Sequence, residues 1–290
     1  MRVVDLLREG TKILKEAKIP GSCNDARWLL QGVLGKSRTE LYLSSVDQVD
    51  SNIHTQYLHY IERRKNREPV AYILQEQEFW SLSFYICPDV LIPRPETEFM
   101  LEKLFLLVDD KNLERGLILD LCTGSGVIAT VLAKETGRFV IATDISGPAL
   151  VTAKRNLMNH NLLNTVFLVQ GDLFSSFLEK PVFSLIVSNP PYVSSYDLEN
   201  NLEPEVSDHE PRLALDGGVG GLRHIKKICD KLPNVLMAGG QFFMEIGADQ
   251  GGSVLQIFKR KNKNFYFRHL EVISDYSGRD RILYVKMSDG

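Results

Sequence analysis

From Leu117 onward, short apolar runs alternate with longer stretches in which apolar residues recur every three or four positions. "LILDLC", "FVIATD", "TVFLVQGD" and "FSLIVSN" are short and largely apolar, as strands covered on both faces are. Between them "VIATVLAKET" and "PALVTAKRNLMNH" carry helical spacing. This order predicts a parallel sheet with helices on both faces. Further on, "LRHIKKICDKL" predicts a helix, "GGQFFMEIG" a strand and "QGGSVLQIFKRK" a helix. "FYFRHLEVISD" and "RILYVKM" follow as two strands with no helix between them, which predicts an antiparallel hairpin at one edge.

The pattern before residue 93 is different. Residues 1 to about 68 read as helices, beginning with Val3, Val4, Leu6, Leu7, Ile13 and Leu14 near helical spacing. Pro20-Gly21 ends that helix, and Asn24 or Ser22 is placed to cap the next, which stops around Gly35. Thr39 is placed to cap a short helix after it, and "SNIHTQYLHYIERRKN" supplies another. Residues 70 to 92 are rich in β-branched and aromatic residues in rough alternation, which predicts a strand pair. "PRPETEFMLEKLFLLV" returns to helix, with prolines at its mouth and acids in its first turn. The expected organisation is a small all-α domain over 1–70, a β-hairpin linker over 71–92, and a mostly parallel α/β domain over 93–290.

Composition narrows the function classes. A net charge of -3 over 290 residues gives no basic field of the kind that nucleic acid attracts. The first 90 residues balance twelve Lys/Arg against twelve Asp/Glu. The basic run Arg63, Arg64, Lys65, Arg67 reads as a solvated helix end. Cys23, Cys87, Cys122 and Cys229 lie far apart, so neither a disulfide framework nor a metal site is expected. The amphipathic, acid-bearing start fits neither a secretory signal nor a transit peptide, and no apolar run approaches about 18 residues. A cytoplasmic location without membrane contact is expected, and nothing in the pattern demands more than a monomer.

Three of the predicted strands end in chemistry. "DLCTGSGVIA" joins the first parallel strand to a helix, with Gly124 and Gly126 allowing a tight turn and close backbone approach. Asp144 closes the next strand, 20 residues beyond Gly124, where a carboxylate can accept from both ribose hydroxyls. That spacing leaves NAD open. Asp120, however, points along its strand toward the same crevice and suits a cationic ligand, unless it caps the glycine turn. Asp172 ends the third strand, placed either to meet an adenine amino group or to cap the following helix, and Leu173 is placed to pack on the ring. Three acids favour S-adenosylmethionine over a pyrophosphate.

The fourth strand runs into Asn189-Pro190-Pro191-Tyr192 at the same crevice. An amide or arylamine nitrogen is a poor nucleophile because its lone pair is delocalised. Two acceptors that bind its hydrogens aim the lone pair at a methyl group and stabilise the developing charge. The Asn189 side-chain carbonyl and the Pro190 carbonyl, stiffened by Pro191, are suited to that, and Tyr192 is suited to stacking on a planar group. No general base is obvious, and an alkylated nitrogen loses its proton readily. His209 and Glu210 lie in the following loop, placed either to accept that proton or simply to be solvated.

"IPRPETE", "DLCTGSGVIA", "TDISGPAL", "GDLF", "VSNPPYV", "EPRLALDGG", "EIG" and "SGRDR" occur in the order seen in the peptide-chain-release-factor glutamine N5-methyltransferases. The resemblance spans nearly the whole catalytic part and reaches into the helical N-terminal region. It implies a Rossmann-like class I methyltransferase sheet. It also implies methylation, by S-adenosylmethionine, of the Gln in the Gly-Gly-Gln loop of class 1 release factors, leaving S-adenosylhomocysteine. Carried over, Cys122, Thr123, Gly124, Ser125 and Gly126 would wrap the methionine part. Asp144, with Ile145 beside it, would hold the ribose, and Leu173 would lie by the adenine. Asn189 to Tyr192 would clamp the glutamine, Asn189 also touching the cofactor, and Pro95, Glu96 and Thr97 would form the wall. The helical domain would grip the release factor away from the reacting loop. Two positions depart from the pattern: Cys122 stands where the family usually has Gly, and "GGVGGL" lacks an Asp often found before its Gly-Leu. Because the Asn-Pro-Pro-Tyr turn is shared with DNA adenine and ribosomal-RNA guanine methyltransferases, a nucleic-acid amino methyltransferase is the alternative. The neutral first 90 residues count against it.

Overall fold

The computed structural model describes residues 1–108, 110–262 and 266–289. The chain divides into two compact units. One is Met1–Glu76 together with Glu203–His209, and the other is Gln77–Leu202 together with Glu210–Gly290.

The first unit is helical, with helices Val3–Glu16, Ser22–Leu34, Arg38–Leu43, Ser51–Lys65 and Val70–Leu74. Leu6, Leu14, Leu29, Leu30, Tyr57 and Ile61 form its buried centre. The helix expected after Pro20 starts at Ser22 with Gly21 as N-cap and no side-chain cap, and it ends at Gly35 in the left-handed region. Ser37, not Thr39, caps the short third helix, in a reciprocal capping box with Glu40. The basic run is not uniformly solvated: Arg64 is buried and donates to Asp25 at 2.7 Å and to Glu205 at 2.8 Å. Arg67 also reaches Glu205, at 3.3 Å. A charge can be taken out of water this way only because each carboxylate answers it. These contacts hold Glu203–His209, a piece of the segment that follows the Asn-Pro-Pro-Tyr turn, on the helical unit. The strand pair expected over 71–92 is confined to β1 (Glu76–Phe79) and β2 (Leu82–Tyr85), while Val70–Leu74 is helical.

The second unit holds a seven-stranded sheet: β3 (Leu117–Leu121), β4 (Val140–Asp144), β5 (Val166–Gln170), β6 (Phe183–Ser188), β7 (Leu236–Glu245), β8 (Phe267–Ser274) and β9 (Asp280–Met287). Its order is β5-β4-β3-β6-β7-β9-β8. The first five of these neighbours are parallel, and β9 is antiparallel to both β7 and β8. The predicted parallel sheet with an antiparallel edge hairpin is what forms. The apolar runs explain it: Phe183–Ser188 is buried at every residue, as a central parallel strand must be.

Strand order sets the position of the site. From β3 the chain steps outward to β4 and β5, then returns to the other side of β3 as β6. The switch point is therefore between β3 and β6, where ligands of open α/β sheets bind, beyond the carboxyl ends of the strands. Leu121 at the end of β3 is opposite Ser188 at the end of β6, and Ser188 Oγ donates to the Leu121 carbonyl at 2.8 Å. The glycine loop and the Asn-Pro-Pro-Tyr turn thus leave the sheet side by side. Among the described residues no helix is long and apolar enough to cross a membrane, and no cluster of His, Cys, Asp and Glu is arranged to hold a metal.

Candidate active site

A cavity of about 250 Å³ opens at this switch point. Cys122, Thr123, Gly124 and Ser125 line one wall, with Asp144, Ile145, Asp172 and Leu173 beside them, and Thr97, Asn189 and Pro191 at another. Residues expected from five separate stretches of sequence meet here.

The glycine loop is held by the backbone. Thr123 N–H donates to the Thr143 carbonyl at 2.8 Å, and Gly126 N–H to the Thr123 carbonyl at 2.9 Å. A methyl group at Gly124 would meet nothing within 4 Å, so this backbone faces open space. Gly126 does not line the cavity. With φ +82° it starts the helix Val127–Thr136, and a methyl group there would sit 3.1 Å from the Ala153 side chain. Its smallness serves helix packing rather than ligand contact.

Asp120 also departs from expectation. It is fully buried and does not line the cavity. Its Oδ2 accepts from Thr123 Oγ1 at 2.6 Å and from Ala129 N–H at 3.0 Å, so the carboxylate caps the turn and not a ligand. Its Oδ1 is buried without a partner among the described residues, and burial pushes the carboxyl up to about 7.

Asp144 does face the cavity. Its Oδ2 accepts from Gly124 N–H and its Oδ1 from Ser146 N–H, both at 2.9 Å. Each oxygen keeps acceptor capacity for a pair of hydroxyls. Asp172 makes no cap bond to the helical turn that follows; Lys227 donates to its Oδ2 at 3.0 Å. Leu173 is buried, with φ +52°, and borders the cavity. Arg94 is a cation at the rim, but it pairs with Glu210, which also accepts from Ile92 N–H at 3.3 Å. Glu210 is thus a buried anchor rather than a solvated loop residue, and the lining offers acceptors with its arginine already neutralised.

The turn after β6 contributes Asn189. Its Nδ2 donates to Thr97 Oγ1 at 3.1 Å. Neither Asn189 Oδ1 nor the Pro190 carbonyl has a hydrogen-bond partner among the described residues. Pro190 is buried and Tyr192 half-buried, and neither residue borders the cavity. Tyr192 is engaged elsewhere: its hydroxyl donates to Glu245 Oε1 at 2.9 Å, and burial beside that carboxylate pushes the phenol well up. The stacking face expected of it is not presented to this cavity. Pro95 and Glu96 lie instead along an open cleft with Trp80, Phe99 and Tyr276, where Arg281 reaches Glu96 at 3.4 Å. Of the "PET" wall, only Thr97 borders the cavity.

Two residues outside the expected set hold the turn. Glu245, at the end of β7, is fully buried and accepts from both Thr97 and Tyr192. Gln250 donates to the Tyr192 carbonyl at 2.8 Å and to the Gly220 carbonyl at 3.2 Å. Gly221 passes so close that a methyl group there would lie 2.0 Å from the Tyr192 carbonyl oxygen. The signals for Glu245 were an acid closing the strand next to β6 and its place at the head of the "EIG" motif.

Residues 5–74 match the PrmC N-terminal domain, and residues 97–218 the methyltransferase small domain. A release factor glutamine methyltransferase of Clostridium acetobutylicum is 34% identical over 289 residues, 98% of each chain. The chain belongs to the release factor glutamine methyltransferase family. A second member, from Thermodesulfovibrio yellowstonii, is 34% identical over 99% of each chain, and one from Clostridium botulinum 36% over 98% of each. Among solved structures, a methyltransferase from Pyrococcus furiosus shares the fold at a TM-score of 0.52 and 19% identity, over 83% of this chain and 100% of that one. The 16S rRNA methyltransferase of T. Thermophilus, solved with AdoMet and guanosine, does so at 0.51 and 16%, over 73% of this chain and 49% of that one. Family membership rests on the full-length relatives; the structural likeness adds the fold.

Proposed function

We propose that this protein transfers a methyl group from S-adenosylmethionine to the side-chain amide nitrogen of the Gly-Gly-Gln glutamine of class 1 release factors, as a monomer in the cytoplasm. The observation that carries the reading is the pair of unpartnered acceptors at one turn, Asn189 Oδ1 and the Pro190 carbonyl, with Asn189 bordering the cavity. A primary amide offers two N–H donors from one nitrogen, which is what two such acceptors complement.

The lining suits the cofactor. Asp144 offers two acceptors for ribose hydroxyls, Gly124 gives open backbone, and Arg94 is already paired with Glu210. Asp172 and Leu173 fit the adenine, and Cys122, Thr123, Ser125 and Ile145 the remaining contacts. When bound, S-adenosylmethionine supplies an electrophilic methyl group on sulfur. Asn189 Oδ1 and the Pro190 carbonyl hold the glutamine NH2 so that the nitrogen lone pair points at that methyl. As the new N–C bond forms, positive charge grows on nitrogen, and the same two oxygens stabilise it. When bound, the cofactor would also supply the leaving sulfur, which would retain the electrons of the methyl–sulfur bond. The nitrogen then loses one proton to water, and amide resonance is restored. Neither Asp120, spent on the turn, nor Glu210, paired with Arg94, serves as base. The helical unit grips the release factor away from the reacting loop.

The test is mass spectrometry of a purified class 1 release factor after incubation with this protein and S-adenosylmethionine. A gain of one methyl mass on the Gly-Gly-Gln glutamine, absent with Asn189→Ala, is expected. Methylation of added RNA or DNA in its place would overturn the substrate assignment.

A further inference from the structure

We propose that Glu245 is a positioning residue: acting through Thr97, it fixes which end of the Asn189 amide faces the reacting nitrogen. The inference rests on the function proposed above and assigns a role to a residue that does not touch substrate or cofactor.

The argument is one of counting protons. Glu245 ends β7 and has no exposed surface to speak of, at 1%. Ionised, it is acceptor-only at both oxygens. Oε2 accepts a hydrogen bond from the Thr97 hydroxyl at 2.6 Å, and Oε1 accepts one from the Tyr192 hydroxyl at 2.9 Å. A threonine hydroxyl has a single proton. With that proton spent on Glu245, Thr97 Oγ1 can offer Asn189 only lone pairs. The Asn189 side chain, 3.1 Å away, must therefore turn its NH2 toward Thr97. Its carbonyl oxygen is left free, as the clamp on the glutamine NH2 requires. The flipped amide would set Oδ1 against the Thr97 lone pairs and present a donor to a donor. A planar amide thus takes its orientation from a carboxylate two hydrogen bonds away, in a setting where an unmet buried polar group is costly.

The relay also joins three distant parts of the chain. Thr97 belongs to the first turn of the helix Pro95–Leu107, Tyr192 to the turn after β6, and Glu245 to β7. The groups that face Glu245 are Thr97 and Tyr192 as donors, Glu96 as a like charge and Arg281 as an opposing one. Burial is the largest influence, and it raises the Glu245 carboxyl above the ordinary glutamate range, with Glu96 adding to the rise and Arg281 opposing it. Protonated Glu245 could itself donate to Thr97. That would release the Thr97 proton toward Asn189 and permit the flipped amide. The correct orientation is accordingly held above the Glu245 pKa and lost below it.

The experiment measures kcat and KM for release-factor methylation, S-adenosylmethionine affinity, and the Asn189 side-chain amide by NMR. Glu245→Gln supplies an NH2 in place of one acceptor, and Thr97→Val removes the relay while keeping shape. Each is expected to lower kcat about 10–100-fold, the usual effect of losing a supporting hydrogen-bond partner. Cofactor affinity should stay within about threefold, since neither hydroxyl nor carboxylate is assigned to it. Thr97→Ser, which retains the hydroxyl, should recover most of the loss seen in Thr97→Val. Combining Thr97→Val with Glu245→Gln should cost little beyond the larger single loss, because both break one relay. The acid limb of the pH–kcat profile should lie above the ordinary glutamate range and disappear in Thr97→Val. If Glu245→Gln does not fold, Thr97→Val carries the kinetic arm. In the unmodified protein one Asn189 Nδ2 proton should exchange slowly, and in Thr97→Val it should exchange fast. This arm needs no substrate, so it decides the orientation even if no release factor is methylated and the functional reading fails. Unchanged kcat in Glu245→Gln, fully additive losses in the double variant, or Nδ2 exchange equally fast in wild type and Thr97→Val would each overturn the proposal.

Discussion

The loop after β3 and the turn after β6 leave the sheet as neighbours, yet they are held by opposite means. The β3 loop is fixed from nearby: Asp120 reaches Thr123 and Ala129, and Gly124 N–H reaches the next strand end at Asp144. The β6 turn is fixed from far away, by Thr97, Glu245 and Gln250, 92, 53 and 58 residues from their partners. The first is a cradle of backbone with acceptors set into it. The second is a chain of hydroxyls and a carboxylate in which each proton has one place to go. A cofactor bound in every turnover suits a locally wired site. A substrate amide that must be told apart from its own flipped image needs the longer circuit.

The largest break in this comparison comes from the two cavity side chains to which the proposed function gives the substrate and the cofactor. Asn189→Ala should lower kcat about 10²–10³-fold, the scale for losing one group that stabilises developing charge, and should weaken S-adenosylmethionine less than Asp144→Asn does. Asp144→Asn should do the reverse. It gives up charge-assisted bonds worth about 1.5–3 kcal/mol and sets an NH2 against a backbone donor, so cofactor Kd should rise at least about tenfold. Calorimetric titration and steady-state kinetics on both variants separate the two sides. If Asn189→Ala weakened the cofactor as much as Asp144→Asn does, the division into a cofactor side and a substrate side would collapse.

That contrast also explains what could be read from sequence. The order of apolar runs and helical stretches was enough for the parallel sheet and its antiparallel edge, because burial on both faces is written locally into strands such as Phe183–Ser188. That Asp144, Leu173 and Asn189 come to one cavity was legible because strand ends in such a sheet converge. Asp120 was misplaced because alternation puts a side chain on a face without saying whether it stops short of the ligand. Tyr192 was assigned to stacking because its partner, Glu245, is 53 residues away and no spacing announces it. Pro95 and Glu96 failed for a related reason: successive residues of a helical first turn point different ways, and only Thr97 turns to the cavity. Glu203–His209 joins the helical unit through Arg64 and Arg67, and a basic run gives no hint that one of its arginines is buried.

A smaller effect tests whether Asp120 is structural. Its carboxyl lies at about 7 in the folded chain against 3.8 for the unperturbed group, and burial is the main cause. Between those two values the folded state binds a proton that the unfolded state does not, so this group makes stability fall as pH rises from about 4 to 7. Asp120→Asn cannot ionise. Its stability should lose that slope, so wild type should gain on it as pH is lowered through this window. Denaturant titrations at several pH values read the difference. Parallel curves would mean that Asp120 is ionised throughout and that its second oxygen has a partner.

The smallest expected effect is at Cys122, in the β3 loop itself. The family pattern has Gly here, and the backbone shows why: φ is +66°, in the left-handed region where a side chain costs about 1–2 kcal/mol. Cys122→Gly removes that strain but adds freedom to the unfolded chain, worth about 0.5–1 kcal/mol against folding. The thiol is no compensating nucleophile, since burial and the nearby Asp144 and Asp120 hold its pKa well up. The net should be a stabilisation of about 0–1.5 kcal/mol. Because Cys122 borders the cavity, removing its side chain should also leave cofactor affinity equal or higher. Thermal unfolding with and without S-adenosylmethionine checks both. A clear loss of affinity would mean that the sulfur packs against the ligand, and the β3 loop would then hold its cofactor by a side chain as well as by backbone.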